Sequence, residues 1–269
     1  MPATQPRQLP AIHLGTLPNH LNRAALFAVI RHGDRVFHRQ VRLISRSDCT
    51  VEYTGEQLDE ADADIVMALL HAAQTAHLGT PVPVNRAELL RSIGRSTGNS
   101  DYLWFHRRMR ALTEATLFVQ ARKPGGDLRY QIGRETAFHI VAAFDADEAT
   151  GMYAVTLDPR WVKLFSNHEY GRVDWAKRRE IRRGQDMAKA LQRLFSASAD
   201  QPQRHSVASL KGFTGYQGRE RDFLRGLQRA LDELVRVHVL VRWRIESSAR
   251  GVQQIAAWTY RDGIAPLSG

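Results

Sequence analysis

Two stretches of this chain, 84–122 and 207–244, repeat one arrangement: a short helical run, a Gly-rich turn, an arginine-bearing amphipathic helix and two extended segments. Apolar residues fall at Tyr102, Phe105, Met109 and Leu112 in the first helix and at Leu224, Leu227, Leu231 and Leu234 in the second. This shared i, i+3, i+7, i+10 spacing stripes one face of each helix for burial. At about 100° per residue, the opposite face of the first carries Ser100, Leu103, Arg107 and Arg110, with Asn99 at its start. The opposite face of the second carries Gly218, Arg221, Arg225, Arg229 and Arg236. A helix that is apolar behind and guanidinium-rich in front suits the phosphate-lined major groove of DNA. The sequence therefore predicts an α+β chain of two tandem winged-helix domains, each a helix-turn-helix followed by a β-wing.

Charge points the same way. Lys and Arg number 38 against 28 Asp and Glu, a formal net charge of +10, which favours polyanionic partners. The charge is also segregated. Residues 47–85 hold seven acids and no Lys or Arg, and 95–134 hold eight bases against three acids. Residues 135–158 hold five acids and no base, and 172–193 return to eight bases against three acids. Alternation of this kind is expected if some faces meet DNA and others turn away.

The single Cys49 excludes a disulfide framework and a cysteine metal cluster. No apolar run reaches the roughly 18 residues a membrane span needs, and no metal or cofactor motif stands out, so the expected location is the cytoplasm. Residues 1–16, with Pro2, Pro6 and Pro10, read as a flexible arm. The first winged-helix domain is expected over 17–165 and the second over 166–269.

Within these bounds, a helix is expected from Asn19 through Phe27, and one capped near Asp59 runs to about His77. Thr116–Arg122 and Leu128–Ile132 flank Pro124-Gly125-Gly126-Asp127, a strong hairpin turn, and read as the first wing. Ala137–Phe144 and Met152–Thr156 read as a further hairpin with an acidic loop. A long linking helix spans roughly Asp174–Ala197. Val237–Ile245 and Val252–Tyr260 form the second wing. Lys123 and Arg129 on the first wing, and Arg242, Arg244 and Arg250 on the second, are candidate DNA contacts. In the linking helix, Arg178, Arg179, Arg182 and Arg183 outnumber Asp174, Glu180 and Asp186. Arg178 and Arg182 are accordingly taken as clamps on the DNA backbone. Trp104, off the apolar stripe, is expected to pack against a neighbouring element rather than stack on sugar.

The chain resembles the TrfA family of plasmid replication initiators. The matching runs are Leu17-Pro18-Asn19 with Arg23-Ala24-Ala25-Leu26-Phe27, Tyr53-Thr54-Gly55-Glu56 with Leu58, and Leu78-Gly79 with Pro81. Glu88-Leu89 with Gly94, Tyr102, Leu112, Leu164-Phe165, His168, Tyr170 and Trp175 extend the likeness, which covers about 17–245 and is clearest over 17–119. The resemblance implies two winged-helix domains, binding to repeated origin sites (iterons) in double-stranded DNA and strand opening at an AT-rich segment. It further implies recruitment of the host replication initiator and the replicative helicase, with no covalent chemistry. A glutamine-led clamp-binding motif of the family is matched only loosely by Gln8-Leu9-Pro10-Ala11-Ile12, so contact with a sliding clamp is not carried over. Self-association is left open.

Two rival readings have sequence support. A repressor built on the same tandem motif would bind an operator and do nothing further. Arg31-His32-Gly33-Asp34-Arg35 matches the RHGxR signature of histidine phosphatases, in which His attacks phosphate among arginines. Phe37, however, stands where that signature has Pro, and the later His-Asp pair is absent. No GxxxxGK[ST] phosphate loop and no His-hydrophobe-His metal pair occur.

Overall fold

The computed structural model describes residues 8–30, 35–45, 47–123, 125–133 and 137–260. The chain begins with β1 (Thr16–Pro18), the single-turn helix α1 (Asn19–Asn22) and β2 (Phe27–Ala28). β3 (Phe37–Leu43), β4 (Cys49–Glu56), β5 (Leu58–Asp59) and α2 (Glu60–Ala72) follow. Next come β6 (Pro81–Asn85), α3 (Arg86–Ser92) and α4 (Asn99–Glu114), then β7 (Thr116–Arg122), β8 (Leu128–Ile132) and β9 (Phe138–His139). The first half closes with β10 (Ala143–Asp147), β11 (Met152–Thr156) and α5 (Trp161–Leu164). β12 (Tyr170–Arg172) and α6 (Trp175–Glu180) lead to α7 (Asp186–Ser196), β13 (Gln203–Ser206), α8 (Val207–Phe213), α9 (Glu220–Arg236), β14 (Leu240–Ser247) and β15 (Gln253–Thr259).

Local chemistry explains the main helix starts. Asp59 caps α2 by accepting from the backbone N–H groups of Ala61 and Asp62, and Asp62 reaches back to the Asp59 N–H. This reciprocal capping box satisfies donors that a helix start leaves open. Asn85 caps α3 through Ala87 and Glu88 in the same sense, and Ser206 caps α8 through Ser209.

One topological unit occurs twice. In α2-β6-α3-α4 and in α7-β13-α8-α9, a strand lies between the first helix and the helix pair. That strand then joins a later hairpin, giving the sheets β10-β11-β6 and β14-β15-β13. The expected hairpin at Thr116–Arg122 and Leu128–Ile132 forms, but it does not complete the first unit's sheet. β7 pairs with β4 instead, in a sheet ordered β3-β4-β7-β8 with β9 beside β7. The register gives the reason: Val119 lies opposite Val51, Leu117 opposite Tyr53 and Ala121 opposite Cys49, all of them buried. Alternating apolar residues on β7 thus meet an apolar face on β4. The strand that completes the first unit's sheet on β6 is β11, from the more acidic hairpin, with Tyr153 opposite Val84 and Val155 opposite Val82.

Two hydrophobic cores result. The first runs from Leu9 to Val173 and the second from Ile181 to Ala257. Three expectations are corrected here. The helix from Asn19 stops at Asn22; Leu26 is buried in the turn that follows and Phe27 in the strand β2. Residues 8–16 are not a loose arm, because Leu9 and Ile12 are buried and the Ile12 N–H donates to Gln74 Oε1. The linking helix is broken between Glu180 and Asp186: Ile181 turns into the second core and Gly184 takes φ +79°.

Candidate nucleic-acid interface

The helix α4 buries Phe105, Met109 and Leu112 completely and Tyr102 in part, so its apolar stripe packs as its spacing predicts. Asn99, Ser100, Leu103, Arg107 and Arg110 are exposed on the other face, Leu103 to 55%. Neither Arg107 nor Arg110 forms an ion pair among the described residues, so both guanidinium groups are available to a ligand.

Arg108 lies between them in sequence and has the opposite role. It is 4% exposed, with Nε 2.7 Å from Asp62 Oδ1, Nη2 3.0 Å from Asp62 Oδ2 and Nη1 2.6 Å from Glu56. Burial works against its charged form, but the two carboxylates outweigh it and hold the guanidinium above the usual arginine range.

The turn before α4 is stiffened by Arg95, which donates to Asp101 Oδ1 at 2.7 Å and stacks 3.5 Å from the Trp104 ring centre. Ser96 also donates to Asp101, and this bond is the largest factor holding that carboxyl below its ordinary range. Trp104 therefore packs against Arg95 of the turn before its own helix, half-buried at the edge of the first core.

In α9 the buried face consists of Phe223, Leu227, Ala230, Leu231 and Leu234. Leu224, expected in the stripe, is only half-buried, and Phe223 takes the deep position. Arg221, Arg225 and Arg229 are exposed on the opposite side. Arg225 pairs with Asp222 at the surface, whereas Arg221 and Arg229 have no ion pair among the described residues. Arg236 is drawn back: it pairs with Glu233 at 2.7 Å and donates to the Glu180 carbonyl. The hydrogen bond from Arg236, aided by the Arg182 N–H, brings the Glu233 carboxyl down to about 2.

The hairpin β14–β15 carries Arg242 and Arg244 against Trp258, 4.5 and 5.4 Å from the ring centre, with Arg250 exposed in its turn. Arg244 also pairs with Glu246. Lys123 is exposed on the β7–β8 turn, but Arg129 on that hairpin is tied to Glu169.

The linker arginines divide in a way the sequence does not show. Arg178, expected on the DNA backbone, is 1% exposed and bound to Glu60 and Asp64. The break after Glu180 leaves Arg179, Arg182 and Arg183 exposed instead. Arg182 lies 3.6 Å from Glu233 near the end of α9, and Arg183 is close enough to Asp101 to lower that carboxyl's pKa. The linker loop thus runs between the start of α4 and the end of α9. Arg108, Arg178 and Arg193 are the structural arginines that sequence reasoning missed. Their signal was Asp59, Glu60, Asp62 and Asp64 crowded at one helix start, more carboxylate than a helix terminus alone explains.

Arg31–Asp34 of the phosphatase-like string lie outside the described residues. Arg35, its last member, is engaged by Asp59 and Asp62. Among the described residues no cluster of three His, Cys, Asp or Glu side chains is arranged to hold a metal ion, and no helix is long and apolar enough to cross a membrane.

A crystal structure of domains 2 and 3 of RctB superposes with a TM-score of 0.59, covering 90% of this chain and 98% of that one at 11% identity. A crystal structure of the Pi initiator protein in complex with iteron DNA superposes with a TM-score of 0.50 over 81% of this chain and 100% of that one, also at 11% identity. At such identities the likeness is one of fold. No curated protein sequence matches the chain. The profile of the family described as TrfA protein matches residues 10–240, most of the chain, and on that evidence the chain belongs to the TrfA family of plasmid replication initiators.

Proposed function

We propose that this initiator binds iterons through two winged-helix units, with α4 and α9 as recognition helices lying in successive major grooves. The observation that carries this is the repeated topology, each copy presenting an exposed arginine face opposite a buried apolar stripe. In this reading Asn99, Ser100, Leu103, Arg107 and Arg110 face one groove, and Arg221, Arg225 and Arg229 the other. Lys123, Arg182, Arg242, Arg244 and Arg250 meet phosphates, together with Arg179 and Arg183 from the linker. Arg129, Arg178 and Arg236 are not part of it: each is bound to carboxylates of the chain itself and is much less exposed (23%, 1% and 38%) than the ion-paired Arg182, Arg225 and Arg244 (69%, 64% and 61%).

In this reading the two units join through α6, a boundary supported by the cores that end at Val173 and begin at Ile181. The hairpins divide the labour by charge: β14–β15 is basic, while β10–β11 carries Asp145, Asp147 and Glu148 and turns away from DNA. Strand opening and recruitment of the host initiator and helicase follow from the family, take place in the cytoplasm and need no covalent chemistry from this chain.

The test is footprinting on the DNA beside the gene, combined with permanganate probing for unpaired thymines. Protection of regularly phased repeats together with opening of a neighbouring AT-rich segment is the expected result. Protection of a single operator without opening would reduce the protein to a repressor. Phosphate-ester hydrolysis abolished by His32→Ala would replace this function with an enzyme.

A further inference from the structure

Between the two cores lies a group of charges that the DNA-facing surface does not use. Glu60 and Asp64 sit one turn apart on α2, 0% and 3% exposed. Arg178 of α6 bonds both of them, donating to Glu60 Oε2 at 2.8 Å and to Asp64 Oδ1. From α7, Lys189 donates to Asp64 Oδ2 at 2.7 Å, and Arg193, fully buried, grips both oxygens of Glu60. Three cations thus meet two carboxylates across the junction, with the Arg193 guanidinium between the rings of Phe27 and Phe213. The carboxylates come from the first helix of one unit, and the two α7 cations from the first helix of the other.

We propose that this buried cluster is a positioning device: it fixes α9 relative to α4 and so sets the spacing between DNA contacts that the chain accepts. It rests on the DNA-binding function proposed above. An apolar interface between units tolerates sliding, because contact area changes little with small shifts. A buried charge does not, since leaving its partners exposes it unpaired to a low-dielectric interior. Pairing five charged groups at once selects one pose, in which Arg193 Nη1 alone of the cluster is buried without a hydrogen-bond partner. α7 carries that pose to α9, against which it packs in the second core, while α2 carries it to α4 through Asp62 and Arg108. The acids of one helix start therefore hold both recognition helices, one directly and one through the partner unit.

A duplex is first selected by the full-length wild-type chain from a random-sequence pool. It is then respaced by inserting one to five base pairs between the segments protected by the two units. Each inserted pair moves one segment by about 3.4 Å and turns it by about 34°. The wild type is expected to lose about 100-fold or more in affinity at the worst spacing, as a linked two-site binder does when geometry forbids joint engagement. Asp64→Asn and Lys189→Met are expected to bind the parent duplex more weakly and to respond to respacing by only about 10-fold or less. Lys189→Met leaves two cations against two carboxylates at a position 21% exposed, so it carries the test if Asp64→Asn fails to fold. Spacing profiles of a folded variant and the wild type that superimpose would overturn the proposal and leave an ordinary buried salt bridge. If the wild type selected no duplex at all, the DNA-binding function itself would fall first, a distinguishable result.

Discussion

Arg107 and Arg108 are adjacent in sequence, yet one faces solvent and the other is enclosed by Asp62 and Glu56. Removing each should therefore read out differently. Arg108→Ala takes two guanidinium hydrogen bonds from the buried Asp62, leaving it only Arg35 and the Asp59 N–H, and should cost about 1–3 kcal/mol of folding stability, seen as a lower melting temperature. Arg229→Ala, at an exposed and unpaired position, should leave melting unchanged and weaken binding to the selected duplex by about 1–3 kcal/mol if it reads a base. A fall in melting temperature for Arg229→Ala would show that this face of α9 is structural.

Glu233 gives a pH-dependent counterpart. Its carboxyl is lowered from 4.5 to about 2, chiefly by the Arg236 hydrogen bond. A depressed folded-state value stabilises fully above pH 4.5 and is lost as pH falls toward 2. Because Arg236 is 38% exposed, solvent screening reduces the effect to about 1–2 kcal/mol. Chemical denaturation of wild type and Glu233→Gln should show that gap at pH 7 and its disappearance near pH 2. A gap that stays constant with pH would assign the stabilisation elsewhere.

At the scale of elements, the hairpins separate pairing from function. β7–β8 has the turn chemistry of a wing, but its apolar alternation commits it to β4. β14–β15 keeps its outer face free, with two guanidinium groups on Trp258. If that hairpin meets phosphates, replacing Arg242, Arg244 and Arg250 together by Ala should reduce the slope of log affinity against log salt by up to about 3, near 0.9 per lost contact. Lys123→Ala on the other hairpin should change it by no more than about 1. A triple variant that changed the slope no more than Lys123→Ala does would remove β14–β15 from the phosphate contacts.

For the whole molecule, the proposed engagement of one duplex by both units requires many phosphate contacts. With about six to ten of them, affinity should fall by about 10³–10⁵ between 50 and 200 mM salt. A nearly flat titration would mean that the net charge of +10 serves some other end.

The sequence by itself determined the helices α3, α4, α8 and α9, the apolar stripe of α4, most of that of α9, the β7–β8 hairpin and the strand β11; the strand expected over Ala137–Phe144 instead divides into β9, which pairs with β7, and β10 at Ala143–Asp147, which takes Asp145 and Asp147 out of the expected loop. The elements so determined depend on spacing, capping and turn residues within a dozen positions of one another. It also carried the family, in runs such as Leu17-Pro18-Asn19 and Tyr53-Thr54-Gly55-Glu56, and the exposed arginines of α4 and α9, because the far side of a buried stripe must face out. Only the tertiary structure decided which hairpin joins β6, since both have plausible turns and the choice depends on matching apolar faces across strands distant in sequence. It alone decided the fate of Arg178 and Arg193, which meet Glu60 across 118 and 133 residues of chain. A charge in sequence has a sign but no partner, and partners at that separation exist only after the two cores have met.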